Sequence, residues 1–353
     1  MPEKSAHLGR AQGNARKHGR LKMSVAVGRM QSMTLSFDDS RLTPIALRKE
    51  LLDNGHSDRS LAQALRTGAL ARPRRGAYVD GSLWEGLSEE DRYAVRCRAA
   101  YRQSKTDVVL SHVSAVPFRD GPLWGLDLAE VHLSRSDHRT GRREAGVRQH
   151  SGKLLEADVV TENGLLLTSP ERTAVEVTTV APMVAALGVV NDLLHRKITT
   201  LERVKARYEL SMEHWPNSLS TQAVLRLADP RIESLAESLF VGVAWLQSLP
   251  MPIPQYEVTD SEGKTRRLDF ALPEFGVWFE IDGKVKYEQP YRVGETATDV
   301  VLREKRRQER IAEATGWRCM RISWADLQDP VRLAARIRAF LESAMTAQVP
   351  RSA

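Results

Sequence analysis

Arg267-Leu268-Asp269-Phe270, followed after a short turn by Trp278-Phe279-Glu280-Ile281-Asp282-Gly283-Lys284, is the stretch on which the reading of this chain turns. Asp269 stands between Leu268 and Phe270, and Glu280 between bulky apolar neighbours, so both carboxylates interrupt segments that otherwise read as core strands. An ionised carboxylate in such a place is costly unless something compensates it. A divalent cation that prefers oxygen ligands, Mg²⁺ or Mn²⁺, is one such compensation. Strand alternation puts Glu280, Asp282 and Lys284 on one face, successive members about 7 Å apart. If the strands pair as a hairpin through Pro273-Glu274-Phe275-Gly276, Asp269 lies beside Glu280 and the two acids can share a metal. The metal would lower the pKa of a bound water, and a lysine on the same face would stabilise charge on a phosphate. The bland alternative is a surface hairpin carrying scattered acids.

Outward from this stretch, residues 229–346 read as one unit. A helix over 232–247 ends before Pro250, Pro252 and Pro254. Strands are expected at 255–258, 266–272 and 276–282, then a basic helix over 298–315, a strand at 317–323 and a final amphipathic helix over 329–344. The order α-β-β-β-α-β-α predicts a mixed sheet flanked by helices. The basic helix carries Arg303, Lys305, Arg306, Arg307 and Arg310, a row that could track a phosphate backbone. Glu304 and Glu309 temper it, so a solvated face is the alternative.

Over about residues 232–327 this pattern resembles the PD-(D/E)XK nuclease superfamily, and most closely its very-short-patch-repair-like endonuclease branch. The resemblance places Asp269 at the first acid and Glu280 at the second. Glu237, in Glu233-Ser234-Leu235-Ala236-Glu237-Ser238, takes the acid on the opening helix, with Glu233 as its rival one turn away. It implies a restriction-endonuclease-like sheet and metal-dependent hydrolysis of DNA phosphodiesters, with Glu237, Asp269 and Glu280 as the metal site. One departure is plain. The position two after the second acid is Asp282 rather than lysine, so Lys284 or Lys305 would supply the positive charge, and Asp282 would act as an auxiliary acid. The Glu-x-Asp-Gly sequence is itself common in the branch resembled.

Absences narrow the chemistry. All nine histidines lie at or before His214, which argues against a histidine base in the C-terminal unit. No Gly-x-Ser-x-Gly elbow occurs. Gly263-Lys264-Thr265 imitates the end of a P-loop, but position 258 is valine, not the glycine that motif needs.

Residues 39–84 predict helix, turn, helix and a basic hairpin, the plan of a small winged helix-turn-helix. Thr43 and Pro44 suit the start of a helix that Gly55 stops. Ser57 caps a second helix, which would present Arg59, Gln63 and Arg66 to a DNA major groove. Arg72, Arg74 and Arg75 in the hairpin would meet phosphates or the minor groove. The alternative is a helical hairpin with solvated arginines.

Residues 85–228 read as an α/β middle domain: a helix over 89–103, strands at 107–111, 130–133 and 164–168, a basic loop holding Arg135, Arg139, Arg142, Arg143 and Arg148, and an apolar helix that Ser169 and Pro170 open and that runs to about Val190. Arg172 is expected near a partner acid. The spacings of His112, His132, His138 and His150 match no ligand motif, so structural or surface roles are expected. Over about residues 43–205 the chain resembles the AbiEi-type antitoxin family, through Arg75-Gly76-Ala77-Tyr78-Val79, Leu110-Ser111-His112-Val113-Ser114-Ala115 and Leu166-Leu167-Thr168-Ser169-Pro170-Glu171-Arg172-Thr173. Glu176 and Phe118-Arg119-Asp120 depart from that pattern. The resemblance implies DNA binding, transcriptional control and a cognate toxin, with no catalysis by this part.

The chain has 353 residues and a net charge of +7. Residues 1–30 hold seven basic side chains against Glu3, which leaves the remainder near neutrality. Residues 1–38 therefore read as a basic leader lacking the apolar content to fold, and 347–353 as a tail. The two cysteines, Cys97 and Cys319, fit a reducing cytoplasm and give no disulfide framework. No apolar run is long enough to span a bilayer. The sequence thus predicts an α+β multidomain, cytoplasmic protein that binds double-stranded DNA and carries a metal-dependent phosphodiesterase domain. The rival is a non-catalytic regulator or antitoxin in which the nuclease fold is kept for homodimerisation or DNA clamping.

Overall fold

A computed structural model describes residues 39–137, 141–212, 215–216, 218–283 and 297–348. The leader, His138, Arg139, Lys284 and residues 349–353 lie outside the described residues. The protein is mixed α/β, with three sheets.

The first sheet gathers β1 (Ala46–Leu47), β2 (Leu70–Arg74) and β3 (Ala77–Asp80) in the order β1-β3-β2. Helices α1 (Arg48–Asp53), α2 (Asp58–Arg66) and α3 (Gly81–Gly86) surround it in sequence. The helix expected from Thr43 starts later. Ala46 and Leu47 pair with Tyr78 and Ala77, and the Glu50 carboxylate accepts the Leu47 N–H at 2.8 Å, closing the first turn of α1 from its third position. Ser57 caps α2 as expected, its Oγ accepting from the Ser60 N–H at 3.1 Å. Gly81 is required where the chain leaves β3, since a Cβ there would stand 1.8 Å from the Gly68 carbonyl oxygen.

Helix α4 (Glu89–Gln103) joins this unit to the next. Val95 and Ala99 pack on Ala77 and Val79 of the small sheet, whereas Tyr93, Ala94, Cys97 and Ala100 enter the large core. The second sheet holds β4 (Val108–Leu110), β5 (Val131–Arg135), β6 (Arg142–Glu144), β7 (Val147–His150), β8 (Val159–Glu162) and β9 (Leu165–Thr168), in the order β6-β7-β5-β4-β9-β8. It is mixed, with parallel pairing of β5 with β7 and of β4 with β9. The basic loop expected after β5 is therefore partly a hairpin. Its turn is Ala145-Gly146, both at positive φ (50° and 74°), the conformation a two-residue hairpin turn demands. An alanine rarely adopts it, which is why the hairpin is not legible in the sequence.

Four helices follow: α5 (Pro170–Val180), α6 (Met183–His195), α7 (Leu201–Ser211) and α8 (Ser218–Leu227). The single apolar helix expected to Val190 is two, divided at Ala181-Pro182, because proline lacks the N–H and disfavours helical backbone at the residue before it.

The third sheet is built from β10 (Ile253–Thr259), β11 (Thr265–Leu272), β12 (Val277–Asp282) and β13 (Arg318–Ser323). It is preceded by α9 (Leu235–Leu246), interrupted by α10 (Ala297–Thr315) before β13, and followed by α11 (Trp324–Leu327) and α12 (Pro330–Gln348). Strand order is β10-β11-β12-β13, antiparallel except for the last pair, which is parallel. Phe270 and Phe279 meet Phe240 of α9 with ring centroids 5.0 and 5.1 Å apart. Leu268 and Trp278 pack with Ile311 of α10 instead. The expected order of strands and long helices is present, with the short α11 added between β13 and α12. One hydrophobic core runs from Tyr93 to Ala344 across the 228/229 division. Helices α6 and α9 approach so closely that a Cβ on Gly188 would sit 2.7 Å from Leu235, and one on Gly242 equally close to Val184.

Candidate functional site

The β11–β12 register pairs Phe270 with Phe279. The pairing ends there, and Asp269 stands one residue beyond it. Asp269 Oδ2 accepts the Ile281 N–H at 2.8 Å, which fixes the carboxylate against the far end of β12. Glu280 is buried (5% exposed) and lies beneath α10. Its Oε1 pairs with Arg307, and its Oε2 accepts from Gln308 Nε2 at 2.6 Å and from Arg321 Nη2 at 3.0 Å. Asp282 shares Arg321 at 3.8 Å.

Glu237 sits at the third position of α9, which Ser234 caps. Its N–H donates to Ser234 Oγ at 3.2 Å, and its carboxylate accepts from the Ser234 hydroxyl at 2.8 Å and the Glu233 N–H at 3.0 Å. Gln255 Nε2 adds a bond at 3.2 Å. Burial is the main reason the Glu237 carboxyl lies above the ordinary glutamate range, and the charge of Asp269 pushes the same way. Glu233, the rival acid, pairs instead with Arg267 at 2.7 Å.

Beside these groups lies a cleft of about 260 Å³ whose walls include His195, Lys197, Arg231, Glu233, Gln255 and Arg267. His195 and Lys197 come from the end of α6 and the turn after it, outside the stretch that the resemblance to a nuclease covers. The expectation that no histidine could serve the C-terminal unit rests on sequence order, and the packing of α6 on α9 brings one to its cleft.

The predicted positive charges fall differently from expectation. Lys284 lies outside the described residues. Lys305 and Arg306 are exposed on α10, and Lys305 is 3.9 Å from Glu309. The α10 cation that meets Glu280 is Arg307, and Arg321 of β13 meets it too. Helical phase is the available signal: Arg307 and Gln308 lie four and three residues before Ile311, a buried residue of α10. Among the described residues, the group of three or more His, Cys, Asp or Glu whose ligand atoms lie within 4.8 Å of one another is His112, His132 and His150. Glu237, Asp269 and Glu280 do not form such a group.

In the small N-terminal unit, Arg59, Gln63 and Arg66 are exposed along α2, and Arg72 and Arg75 are exposed on the β2–β3 hairpin. Arg74 departs from the expected outward role. Its side chain turns toward α4, where the Nε is buried without a hydrogen-bond partner. Desolvation is the first cause of its lowered pKa.

No family model matches the chain. Two uncharacterized proteins of Mycobacterium tuberculosis, MT2308 of strain CDC 1551 / Oshkosh and Rv2248 of strain H37Rv, are each 29% identical over 189 residues, 52% of this chain. The match spans 65% of the length of these relatives. The crystal structure of the RV2827C protein from the same organism aligns over 54% of this chain and 78% of its own, at 16% identity and a TM-score of 0.32. Among the described residues no helix is long and apolar enough to cross a membrane.

Proposed function

We propose that the chain binds double-stranded DNA through its N-terminal unit, read as a winged helix-turn-helix, and hydrolyses phosphodiester bonds with its C-terminal unit, read as an endonuclease-like αβββαβ domain. The observation that carries this is the bond from the Ile281 N–H to Asp269 Oδ2 at 2.8 Å, which holds Asp269 against β12 next to Glu280, with Glu237 close enough to Asp269 for the two charges to interact. The sheet order β10-β11-β12-β13, with α9 packed on one face and α10 on the other, supports the same reading. Carboxylates on adjoining strands with a third on α9 would offer the oxygen ligands that Mg²⁺ or Mn²⁺ takes while retaining several waters. Asp269 and Glu280 would hold the ion and Glu237 would support it. Bound there, the metal would supply an acidified water and neutralise charge on the phosphate. Arg307 and Arg321 pair with Glu280 and would turn to the phosphate oxygens when the metal takes their place. Arg59, Gln63 and Arg66 would face the major groove, and Arg72 and Arg75 the phosphates beside it.

One observation favours a second reading. Both Glu280 oxygens are already held by Arg307, Gln308 and Arg321, an arrangement complete without a metal. On that reading the protein is a regulator or antitoxin whose C-terminal unit only clamps DNA or pairs two copies, with a cognate toxin as partner. The test is cleavage of supercoiled plasmid with Mg²⁺ or Mn²⁺ by the wild type, Asp269→Ala and Glu280→Ala. Nicking that needs metal and disappears in both variants supports the nuclease. Tight duplex binding in all three with no cleavage selects the regulator.

A further inference from the structure

Three histidines that the sequence gives no reason to group meet inside the middle sheet. His132 lies on β5, His150 ends β7, and His112 follows β4. Parallel pairing of β5 with β7 sets Ser134 beside His150, and the Ser111 N–H bonds to the His132 carbonyl at 3.2 Å. His132 Nδ1 and His150 Nε2 are 2.9 Å apart, and one ligand atom from each of the three rings lies within 4.8 Å of the others. Intervals of 20 and 18 residues along the chain resemble no ligand motif, because strand pairing makes the grouping rather than a helix or knuckle.

We propose that His112, His132 and His150 form a three-histidine site for a transition-metal dication, Zn²⁺ first among them. Neutral imidazole is the donor that zinc, copper and nickel prefer, whereas Mg²⁺ asks for oxygen. Two nitrogens bound to one tetrahedral Zn²⁺ at about 2.0–2.1 Å stand roughly 3.3 Å apart, so His132 and His150 need open by only a few tenths of an ångström. His112 stacks on His150 with centroids 3.7 Å apart and must tilt away from that stack to bring its nitrogen onto the ion. The proton shared between His132 and His150 moves to the other nitrogen of the ring that carries it, so binding needs no net charge change there.

Three further features suit a ligand site. Burial, first of all, keeps each imidazole neutral: His132 is lowered to about 4, His150 to about 2, and His112 lies well below the usual histidine value. His112 holds a left-handed backbone (φ 52°) that a non-glycine residue seldom adopts, and the buried Glu176 carboxylate secures it by accepting its N–H at 3.1 Å. His112 Nδ1 lies 3.0 Å from Ser111 Oγ and 3.6 Å from Glu176 Oε2. That is the outer-shell arrangement that fixes a ligating histidine and leaves Nε2 for the metal. Arg148 and Arg172 oppose a cation nearby, and Glu176 offsets them. The fourth position falls to solvent on the side of the half-buried His150.

The test uses the full chain without a polyhistidine tag, stripped with chelator and titrated with Zn²⁺ and, for its spectrum, Co²⁺. The expected result is one dication per chain, four-coordinate Co²⁺ bands without thiolate charge transfer, and a higher Tm with Zn²⁺. In His150→Gln and His132→Gln the affinity should fall roughly 100-fold or more, since even outer-shell changes cost about 10–100-fold. His150→Gln removes a partly exposed ring, so it serves if His132→Gln does not fold. The proposal is overturned if the folded wild type takes up no metal at stoichiometric concentration, if His150→Gln binds as the wild type does, or if a thiolate band puts the metal on Cys97 or Cys319.

Discussion

Arg172→Ala is the substitution whose cost the structure defines best. Arg172 is 1% exposed. Its Nε meets Glu176 Oε1 at 2.6 Å, and its Nη1 meets Asp158 Oδ2 at 2.7 Å and the Lys153 carbonyl at 2.9 Å. The ring of Trp215 lies 5.2 Å beneath it. Asp158 would retain Arg207 after the change, but Glu176, wholly buried, would keep chiefly the His112 N–H. Breaking a buried pair by removing one partner costs about 3–5 kcal/mol because the other charge is left uncompensated. The retained Asp158–Arg207 pair argues for the lower half of that range, and the removal of the cation from the Trp215 ring for about 1 kcal/mol more, so about 4 kcal/mol is expected. Adding Glu176→Gln removes the stranded charge and should return about 2 kcal/mol, a coupling that a double-mutant cycle resolves. Urea unfolding followed by circular dichroism and tryptophan fluorescence measures both values. A loss below about 1 kcal/mol for Arg172→Ala, or simple additivity in the double variant, would refute the claim that this network is a buried, mutually compensated ion cluster.

Other outcomes follow from single groups. Cys97 and Cys319 are both pushed up to about 12, by burial above all. At about pH 8 the native thiolate fraction is then ~10⁻⁴, about a thousandfold below that of an ordinary thiol. Reaction with a disulfide reagent should be correspondingly slow in the native protein, should quicken as pH rises toward that value, and should become fast in guanidinium. Gly81→Ala drives a Cβ into the Gly68 carbonyl and should cost about 1–3 kcal/mol by displacing the backbone of the small sheet, read as a lower urea midpoint. Arg72→Ala and Arg75→Ala should each lower duplex affinity at all sequences and reduce the salt slope by about 0.9 for each phosphate no longer neutralised. Gln63→Ala should instead reduce discrimination between duplexes, by about 1–3 kcal/mol at one base pair. Unchanged binding and slope in all of these would move the DNA surface elsewhere.

The parts legible in the sequence are those whose signal is local. The caps at Ser57 and Ser169 and the strands of the C-terminal part follow from alternation and capping chemistry. The parts that are not legible depend on tertiary placement. A hairpin turn with alanine at positive φ conceals β6 and β7, and the division of α5 from α6 requires Pro182 to be weighed against a long apolar run. Arg307 is one of several basic residues on a helix whose phase the buried Ile311 reveals. Spacing and sequence order single out neither the three histidines nor His195, since neither constrains residues brought together by strand pairing or helix packing.

The measurement closest to the central claim is Mn²⁺ binding by the wild type, Asp269→Ala and Glu280→Ala, followed by electron paramagnetic resonance on protein first saturated with Zn²⁺, so that the histidine cluster does not contribute. One Mn²⁺ per chain in the wild type, lost in both variants while their circular dichroism spectra stay native, is the predicted result. No Mn²⁺ uptake by the wild type, or equal uptake by all three proteins, would contradict the assignment of Asp269 and Glu280 as metal ligands.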